Sequence, residues 1–240
     1  AETIPFLQKA IKVAGGKHSF IEHEEDISKR SITKYIKPKA EIEGNTLILT
    51  IPEFTGNNSQ ASDYANFLES SLHKNNYNGV IVDLRGNRGG DLSPMVLGLS
   101  PLLPDGTLFT YVDKSSHSKP VELQNGEINS GGSSTKISDN KKIKKAPIAV
   151  LIDNNTGSSG ELTALCFKGI PNVKFLGSDS AGYTSANQTV YLYDGSTLQI
   201  TSAFVKDRTN NIYKNFPISP DIQTNNAKSS AIEWIKSQIK

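Results

Sequence analysis

Short apolar runs along the chain predict β-strands that are buried on both faces. Two of them, Pro147–Ile152 and Gly79–Leu84, are almost entirely apolar and contain several β-branched residues. Such runs are typical of strands in a parallel sheet that helices cover on each side. Each run is followed by a polar turn and then by a helix-like stretch, Glu161–Phe167 and Leu92–Leu99 respectively. The alternation of strand, turn and helix predicts an α/β protein.

Other patterns predict further strands, hairpins and a terminal helix. The Asp194–Gly195 pair between two β-rich runs is a strong hairpin signal. With 240 residues and 36% hydrophobic content, the chain can bury one substantial core. We divide it into an N-terminal segment (1–44) and a core (45–240), and interpret 107–145 as a cap. The other predicted elements are strands at Asn45–Phe54 and Thr107–Val112, a hairpin at Lys119–Ile128 and a helix at Ala227–Ile239.

A pair of serines follows the first apolar run. Ser158 and Ser159 come directly after the turn Asp153–Gly157 and directly before the predicted helix. The first N–H groups of a helix have no partner within the helix, so an anion can be held there. One interpretation makes Ser158 a nucleophile beside an oxyanion site. The other makes it an N-cap, with Glu161 three residues later completing a capping box.

A glycine-rich turn follows the second apolar run. It spans Arg85–Asp91 and contains Gly89 and Gly90. Because the carboxyl ends of parallel strands meet at one edge of a sheet, we expect this turn and the serine turn to face one crevice. Paired glycines allow backbone N–H groups to approach a substrate carbonyl. A phosphate loop is disfavoured, since neither the Lys-Ser/Thr of a P-loop nor a complete G-x-G-x-x-G is present.

A serine nucleophile needs a base, and the chain has four histidines. His73 lies near the end of a polar helix, His117 in a polar loop and His23 among acidic residues, where a solvated imidazole is expected. His18 differs because a glycine turn precedes it and an apolar stretch follows. We therefore favour His18 as the base. The 140 positions that separate it from Ser158 are no objection, since catalytic partners need only meet in the fold.

Composition narrows the class of protein. Lys and Arg number 26 against 24 Asp and Glu, a formal charge of +2 that is too balanced for a nucleic-acid surface. The lysine cluster at Lys141–Lys145 is interpreted as a solvated connection, with attraction to an anionic surface as the alternative. Cys166 is the single cysteine, so no disulfide forms within the chain, and no metal-ligand cluster or apolar membrane span is present. We expect no cofactor and no metal.

The order of these motifs resembles the tail-specific and C-terminal-processing serine peptidases, which include the tricorn-type core. The most specific parts are the D-x-R-x-N-x-G-G turn that starts at Asp83 and the T-x-S-S-x-E helix start at Thr156. The resemblance covers nearly the whole chain. It implies a crotonase-like α/β core of stacked strands and helices with a small cap or N-terminal lobe. It also implies Ser158 as nucleophile and an oxyanion hole from Ser159 with Gly89 or Gly90.

Departures from the family pattern indicate the subtype. Tyr183 stands where Ser-Lys members carry the lysine base, and with an unperturbed pKa of about 10 a tyrosine is protonated at neutral pH and does not serve as the base there. A histidine mechanism is therefore expected. Tricorn-type members have a serine before the histidine, whereas this chain has Lys17, so Ser19 or another polar group is left to orient the imidazole. About thirty residues separate the histidine from the core strand, too few for a PDZ module.

The resemblance implies a serine endopeptidase that cuts peptides near their C-terminus, with lantibiotic peptides as one candidate substrate class. Supporting roles fall to Ser19 and Glu161, although Glu161 is more simply a helix cap. The family works mostly outside the cytoplasm, so an extracellular or cell-surface location is expected. Since the sequence begins Ala1-Glu2-Thr3, a removed anchor is expected to supply any membrane association. The alternatives are an inactive binding protein on the same core and a crotonase relative that handles acyl-CoA.

Overall fold

The computed structural model describes residues 3–26, 35–74 and 76–239. The helices are α1 (Thr3–Gly15), α2 (Asn58–Lys74), α3 (Leu92–Gly98), α4 (Ser159–Leu165) and α5 (Ala227–Gln238), with a 3-10 turn at Ser100–Leu102. The strands are β1 (Phe20–Glu22), β2 (Lys39–Glu43), β3 (Thr46–Thr50), β4 (Gly79–Asp83), β5 (Gly106–Asp113), β6 (Ser118–Gln124), β7 (Glu127–Ile128), β8 (Ile148–Ile152), β9 (Val173–Gly177), β10 (Ser185–Tyr191), β11 (Thr197–Asp207), β12 (Ile212–Tyr213) and β13 (Ile222–Gln223). None of the helices in the described part of the chain combines enough length with enough apolar residues for a membrane span.

The apolar runs form a six-stranded sheet in the order β13-β9-β8-β4-β3-β2. Its neighbouring strands are parallel except for the antiparallel pair β2 and β3. Both faces are covered. Leu47 and Val80 belong to one buried cluster with residues of α2, α3 and α4, while Ile81 and Leu151 pack with Ile235 of α5 on the other side. Burial on two faces explains why these strands are continuously apolar, and the α/β prediction is confirmed.

A second sheet of seven strands is built around the long strand β11. β10 pairs with it antiparallel along most of its length, as the Asp194–Gly195 signal predicts. The hairpin of β6 and β7 and the terminal helix α5 are also confirmed. Helix α1 has no counterpart among the predicted elements.

The N-terminal segment 1–44 contributes to both sheets. β1 pairs with β11, where Phe20 lies opposite Gln199, and β2 pairs with β3. Part of the segment, 27–34, lies outside the described residues. Within 107–145, β5 joins the second sheet through β11. The strand pairing thus carries the residues around His18 towards β10 and β11.

Candidate active site

The serine turn and the glycine turn meet at the carboxyl ends of two neighbouring strands. β4 and β8 are parallel partners, and the turns that follow them are cross-linked. The Gly157 amide donates to the Asn87 carbonyl at 2.8 Å, and the Ser159 hydroxyl donates to the Gly90 carbonyl at 2.7 Å. The buried Thr156 hydroxyl donates to the Leu84 carbonyl at 2.9 Å. Gly90, Ser158 and Ser159 line one cleft, so the two turns face the same crevice as expected.

Ser158 has a backbone conformation that few residues other than glycine adopt. Its φ is 52° and its ψ is −123°, immediately before α4. Such angles cost on the order of 1–3 kcal/mol and persist only where neighbouring contacts hold them. Here the Ser158 amide donates to Oε2 of Glu161 at 3.0 Å. Strained residues of this kind concentrate at functional sites, which favours the nucleophile interpretation.

Glu161 is completely buried and acts as an acceptor for two separate turns. In addition to Ser158, the amides of Gly182 and Tyr183 donate to it, each at 2.7 Å, and so does the Ser180 hydroxyl. Burial raises the pKa of the Glu161 carboxyl, and these four donors oppose the rise. The Glu161 half of the predicted capping box is thus present. Its larger role is to tie the 180–183 turn to the serine.

His18 lies in the loop between α1 and β1, and residues of β10 hold it in place. Its Nδ1 atom lies 2.8 Å from Oγ of Ser185, and its carbonyl accepts from Nδ2 of Asn187 at 2.7 Å. The ring of Tyr183 is 5.1 Å away between centroids. Lys17 donates to the Ala181 carbonyl at 2.9 Å and lies over the Tyr183 ring. Burial, and secondly the charge of Lys17, lower the pKa of His18 to about 4. The imidazole is therefore neutral near pH 7.

His18 and Ser158 line the same cleft, which has a volume of about 710 Å³. The other histidines lie elsewhere: His73 is paired with Glu69, His117 with Asp113, and His23 lies near Ser196. The cleft lining also includes Lys17, Arg88, Gly90, Ser159 and Tyr183.

The role predicted for Ser19, orienting the imidazole of His18, is wrong. Its buried hydroxyl donates to the Gly15 carbonyl at 2.8 Å and lies 3.2 Å from Oγ1 of Thr201. It also accepts the Thr201 amide. These contacts anchor the loop that carries His18 to β11, whereas the hydroxyl that reaches the imidazole belongs to Ser185. Adjacency in sequence favoured Ser19, but the pairing of distant strands decides which side chain meets the ring.

Of the three backbone amides predicted to form the oxyanion hole, those of Gly89, Gly90 and Ser159, two are free, in the described part of the chain, to donate to a substrate oxygen. The Gly89 amide donates to Oδ1 of the buried Asn87 at 2.9 Å and is thus occupied. Within the described residues, the amides of Gly90 and Ser159 have no recorded acceptor, and both residues line the cleft. Gly89 instead allows close approach, since a Cβ there would lie 3.0 Å from both Ser158 Cβ and the Ser159 nitrogen. Asn87, the asparagine of the D-x-R-x-N-x-G-G motif, fixes this turn, a role that was not predicted from the sequence.

We expect Gly89→Ala to lower kcat/KM by at least about 10²-fold, because displacing reacting groups by about 1 Å has that effect. Gly86→Ala is the matched control. Both glycines have positive φ, so both substitutions strain the backbone, but a Cβ at Gly86 meets nothing within 4 Å. Peptide turnover by the two purified variants measures the difference. Equal losses of activity would mean that turn strain, and not the approach to Ser158, limits the reaction.

One group of possible metal ligands lies outside the cleft. Among the described residues, the ligand atoms of Glu69, His73 and Asp139 lie within 4.8 Å of one another. His73 is already paired with Glu69 at 3.3 Å, and Lys141 with Asp139 at 3.6 Å. These ion pairs account for the cluster without an ion.

The chain belongs to Peptidase family S41, because the model of that family matches residues 45–224. It is accordingly a serine peptidase of the C-terminal processing type. The resemblance inferred from the D-x-R-x-N-x-G-G and T-x-S-S-x-E motifs is confirmed.

Individual relatives agree with this assignment. The chain is 99% identical over 240 residues to the nisin-resistance protein of Lactococcus lactis subsp. lactis, and covers 76% of that protein. It is 31% identical over 133 residues, 55% of its length, to the carboxy-terminal processing protease CtpA of Bacillus subtilis (strain 168), of which it covers 26%. Among solved structures, a lipoprotein from Streptococcus agalactiae matches with a TM-score of 0.89 and 36% identity. That match covers 99% of this chain and 82% of the lipoprotein chain.

Proposed function

We propose that the chain hydrolyses peptide bonds through a dyad of Ser158 and His18, near the C-terminus of its substrate. The observation that carries this proposal is that both side chains line one cleft beside two amides, those of Gly90 and Ser159, that donate to no acceptor among the described residues. A neutral imidazole can accept a proton, and the strained backbone of Ser158 presents its hydroxyl at the start of helix α4. The parallel sheet and its covering helices support a crotonase-like core.

The reaction begins when Nε2 of His18 takes the hydroxyl proton of Ser158 while Oγ attacks the scissile carbonyl. The Gly90 and Ser159 amides donate to the oxygen that becomes negative, and each such donor is worth about 2.7–4 kcal/mol. The imidazolium then returns the proton to the leaving amine as the C–N bond breaks. An acyl-serine remains. Water, deprotonated by the same imidazole, attacks the ester and releases the new carboxylate with Ser158 restored.

Nisin is the proposed substrate. The proposal rests on the 99% identity to a protein named for nisin resistance. We also propose a cell-surface location, which the description of the Streptococcus agalactiae relative as a lipoprotein supports. Membrane attachment would then come from a segment outside this sequence.

The test is mass spectrometry of nisin and of unrelated linear peptides after incubation with the chain. The proposal predicts cleavage near the C-terminus of nisin and none by Ser158→Ala. If nisin stayed intact while linear peptides were cleaved, nisin would be rejected as the substrate, but the proposed peptidase activity would stand. No cleavage of any peptide by the folded chain would favour the non-hydrolytic alternative, in which the same cleft only binds peptides.

The pH dependence follows from the environment of His18. The unprotonated imidazole is the active form, so kcat/KM should fall as the pH drops through about 4, instead of 6.5 as for a free histidine. Lys17→Gln removes a positive neighbour and should move this acid limb upward. Lys12→Gln, which removes another charge from the cleft lining, should leave the limb in place.

The same shift links folding to pH. Because the folded-state pKa of His18 lies below the unfolded value of 6.5, the unfolded chain binds the extra proton between pH 6.5 and about 4. The contribution of His18 to stability is therefore complete above pH 6.5 and is lost as the pH falls through this window. If kcat/KM instead fell as the pH dropped through about 6.5, the burial of His18 would be contradicted.

A further inference from the structure

The hydrogen bond to the imidazole of His18 comes from a hydroxyl, where many serine peptidases use a carboxylate. Among the described residues, Ser185 supplies the recorded side-chain hydrogen bond to this ring, with Oγ 2.8 Å from Nδ1. Ser185 is only 3% exposed, so water competes little for this contact. A hydroxyl can donate or accept, so the Ser185 oxygen is able to accept a hydrogen bond from a protonated Nδ1.

Strand β10 holds the backbone of His18 as well as its ring. Ser185 is the first residue of the strand, and its amide donates to the Tyr183 carbonyl at 3.0 Å. Asn187 donates to the His18 carbonyl at 2.7 Å and accepts from Thr201 Oγ1 at 3.1 Å. The register of β10 against β11 shifts between residues 186 and 187, and such irregularities re-aim side chains. Ring and backbone are thus fixed by two residues of one strand.

We propose that Ser185 is the positioning residue for His18: its oxygen accepts a hydrogen bond from Nδ1–H and thereby leaves the lone pair on Nε2 for Ser158. This inference rests on the proposed Ser158–His18 reaction. The partner of one ring nitrogen sets the tautomer of the other, so the hydrogen bond selects the form that can act as a base. Ser185 itself exchanges no proton with the substrate.

A neutral partner suits the charges around the imidazole. A hydroxyl orients the ring without adding the negative charge that would favour the protonated form. The imidazole therefore stays unprotonated in mildly acidic solution, with its pKa lowered by burial and by Lys17. Besides His18, the charged and titratable groups that face this region are Lys12, Lys17, Glu22, Arg88, Tyr111, Glu161 and Tyr183.

The first test is NMR of the full chain labelled with ¹⁵N and ¹³C in histidine. Four histidines give few signals, and His18→Gln assigns the one that matters. The proposal predicts that neutral His18 carries its proton on Nδ1 in the wild type, and that Ser185→Ala gives a mixture of tautomers. A proton on Nε2 in the wild type, or an unchanged tautomer in Ser185→Ala, would overturn the proposal without any measurement of activity.

The second test is kinetic and uses a matched serine. Ser196 is 4% exposed, lies in the turn between β10 and β11 and has its hydroxyl 3.5 Å from His23, not His18. Ser185→Ala should lower kcat about tenfold with little change in KM, since one orienting hydrogen bond is lost. Ser185→Thr should recover most of that loss because it keeps the hydroxyl. Ser196→Ala should leave kcat unchanged, and an equal loss in both alanine variants would reject a specific role for Ser185.

The third test replaces the hydroxyl with a carboxylate. A negative group beside the imidazole favours the protonated form, so Ser185→Asp should raise the acid limb of kcat/KM by about 1–3 pH units. An unchanged limb in the folded variant would overturn the proposal. If this variant does not fold, the tautomer in Ser185→Ala decides. Failure of the dyad is separate: it would appear as activity retained in His18→Ala, whatever Ser185 does.

Discussion

Replacing His18 with alanine is expected to lower kcat/KM by about 10²–10⁴, because a positioned general base contributes that much. The loss should appear in kcat, since in the proposed dyad the imidazole takes the Ser158 proton in the transition state and contributes little to ground-state binding. The fold should survive, because His18 lines the cleft and the two buried clusters do not include it.

A second histidine provides the control for that experiment. His117→Ala removes an exposed imidazole that is paired only with Asp113, so kcat/KM should match the wild type. Initial rates of peptide cleavage, measured at equal concentrations of folded protein, give the comparison. Retention of more than about a tenth of wild-type kcat/KM in His18→Ala would show that another group is the base.

Glu161→Ala is expected to have the largest effect on stability. The substitution removes the common acceptor of Ser158, Ser180, Gly182 and Tyr183 inside a fully buried site. Each unsatisfied buried donor costs about 1–3 kcal/mol, so the free energy of unfolding should fall by at least about 3 kcal/mol. Activity should fall too, because the same carboxylate fixes the strained backbone of Ser158.

Two further variants show whether the negative charge or the size of the Glu161 side chain matters: Glu161→Gln, and Glu233→Ala as a control. Glu161→Gln keeps the size and one carbonyl acceptor, so its loss of stability should be smaller than that of Glu161→Ala. Glu233→Ala removes an exposed helical carboxylate and should change the free energy of unfolding by less than about 0.5 kcal/mol. Urea denaturation of the three variants makes the comparison. A loss below about 1 kcal/mol in Glu161→Ala would mean that water or a neighbour replaces the carboxylate.

The local parts of the site could be predicted from sequence. The buried runs that become β4 and β8 are readable because both faces of their sheet are covered, and their turns must then meet at one edge. Ser158, Ser159 and the paired glycines follow from that rule alone. His18 could be chosen as the candidate base by comparing the sequence surroundings of the four histidines, because the glycines before it and the apolar residues after it set it apart.

The long-range parts could not be predicted in the same way. Ser185 lies 167 positions from His18, and its contact depends on the pairing of β1, β10 and β11 around one strand edge. Periodicity fixes which face of a strand is buried but does not say which distant strand it will join. The choice of Ser19 failed for this reason. Similarly, which glycine amide stays available depends on the orientation of Asn87, which the turn motif does not encode.

Labelling with a fluorophosphonate probe tests the central claim, that His18 activates Ser158, most directly. Such probes react with activated serines, and peptide mapping distinguishes Ser158 from Ser159. Activation of Ser158 by His18 should give stoichiometric labelling of Ser158 in the wild type and a rate at least about 10²-fold lower in His18→Ala. No labelling of the folded chain, labelling at Ser159, or an unchanged rate in His18→Ala would contradict it.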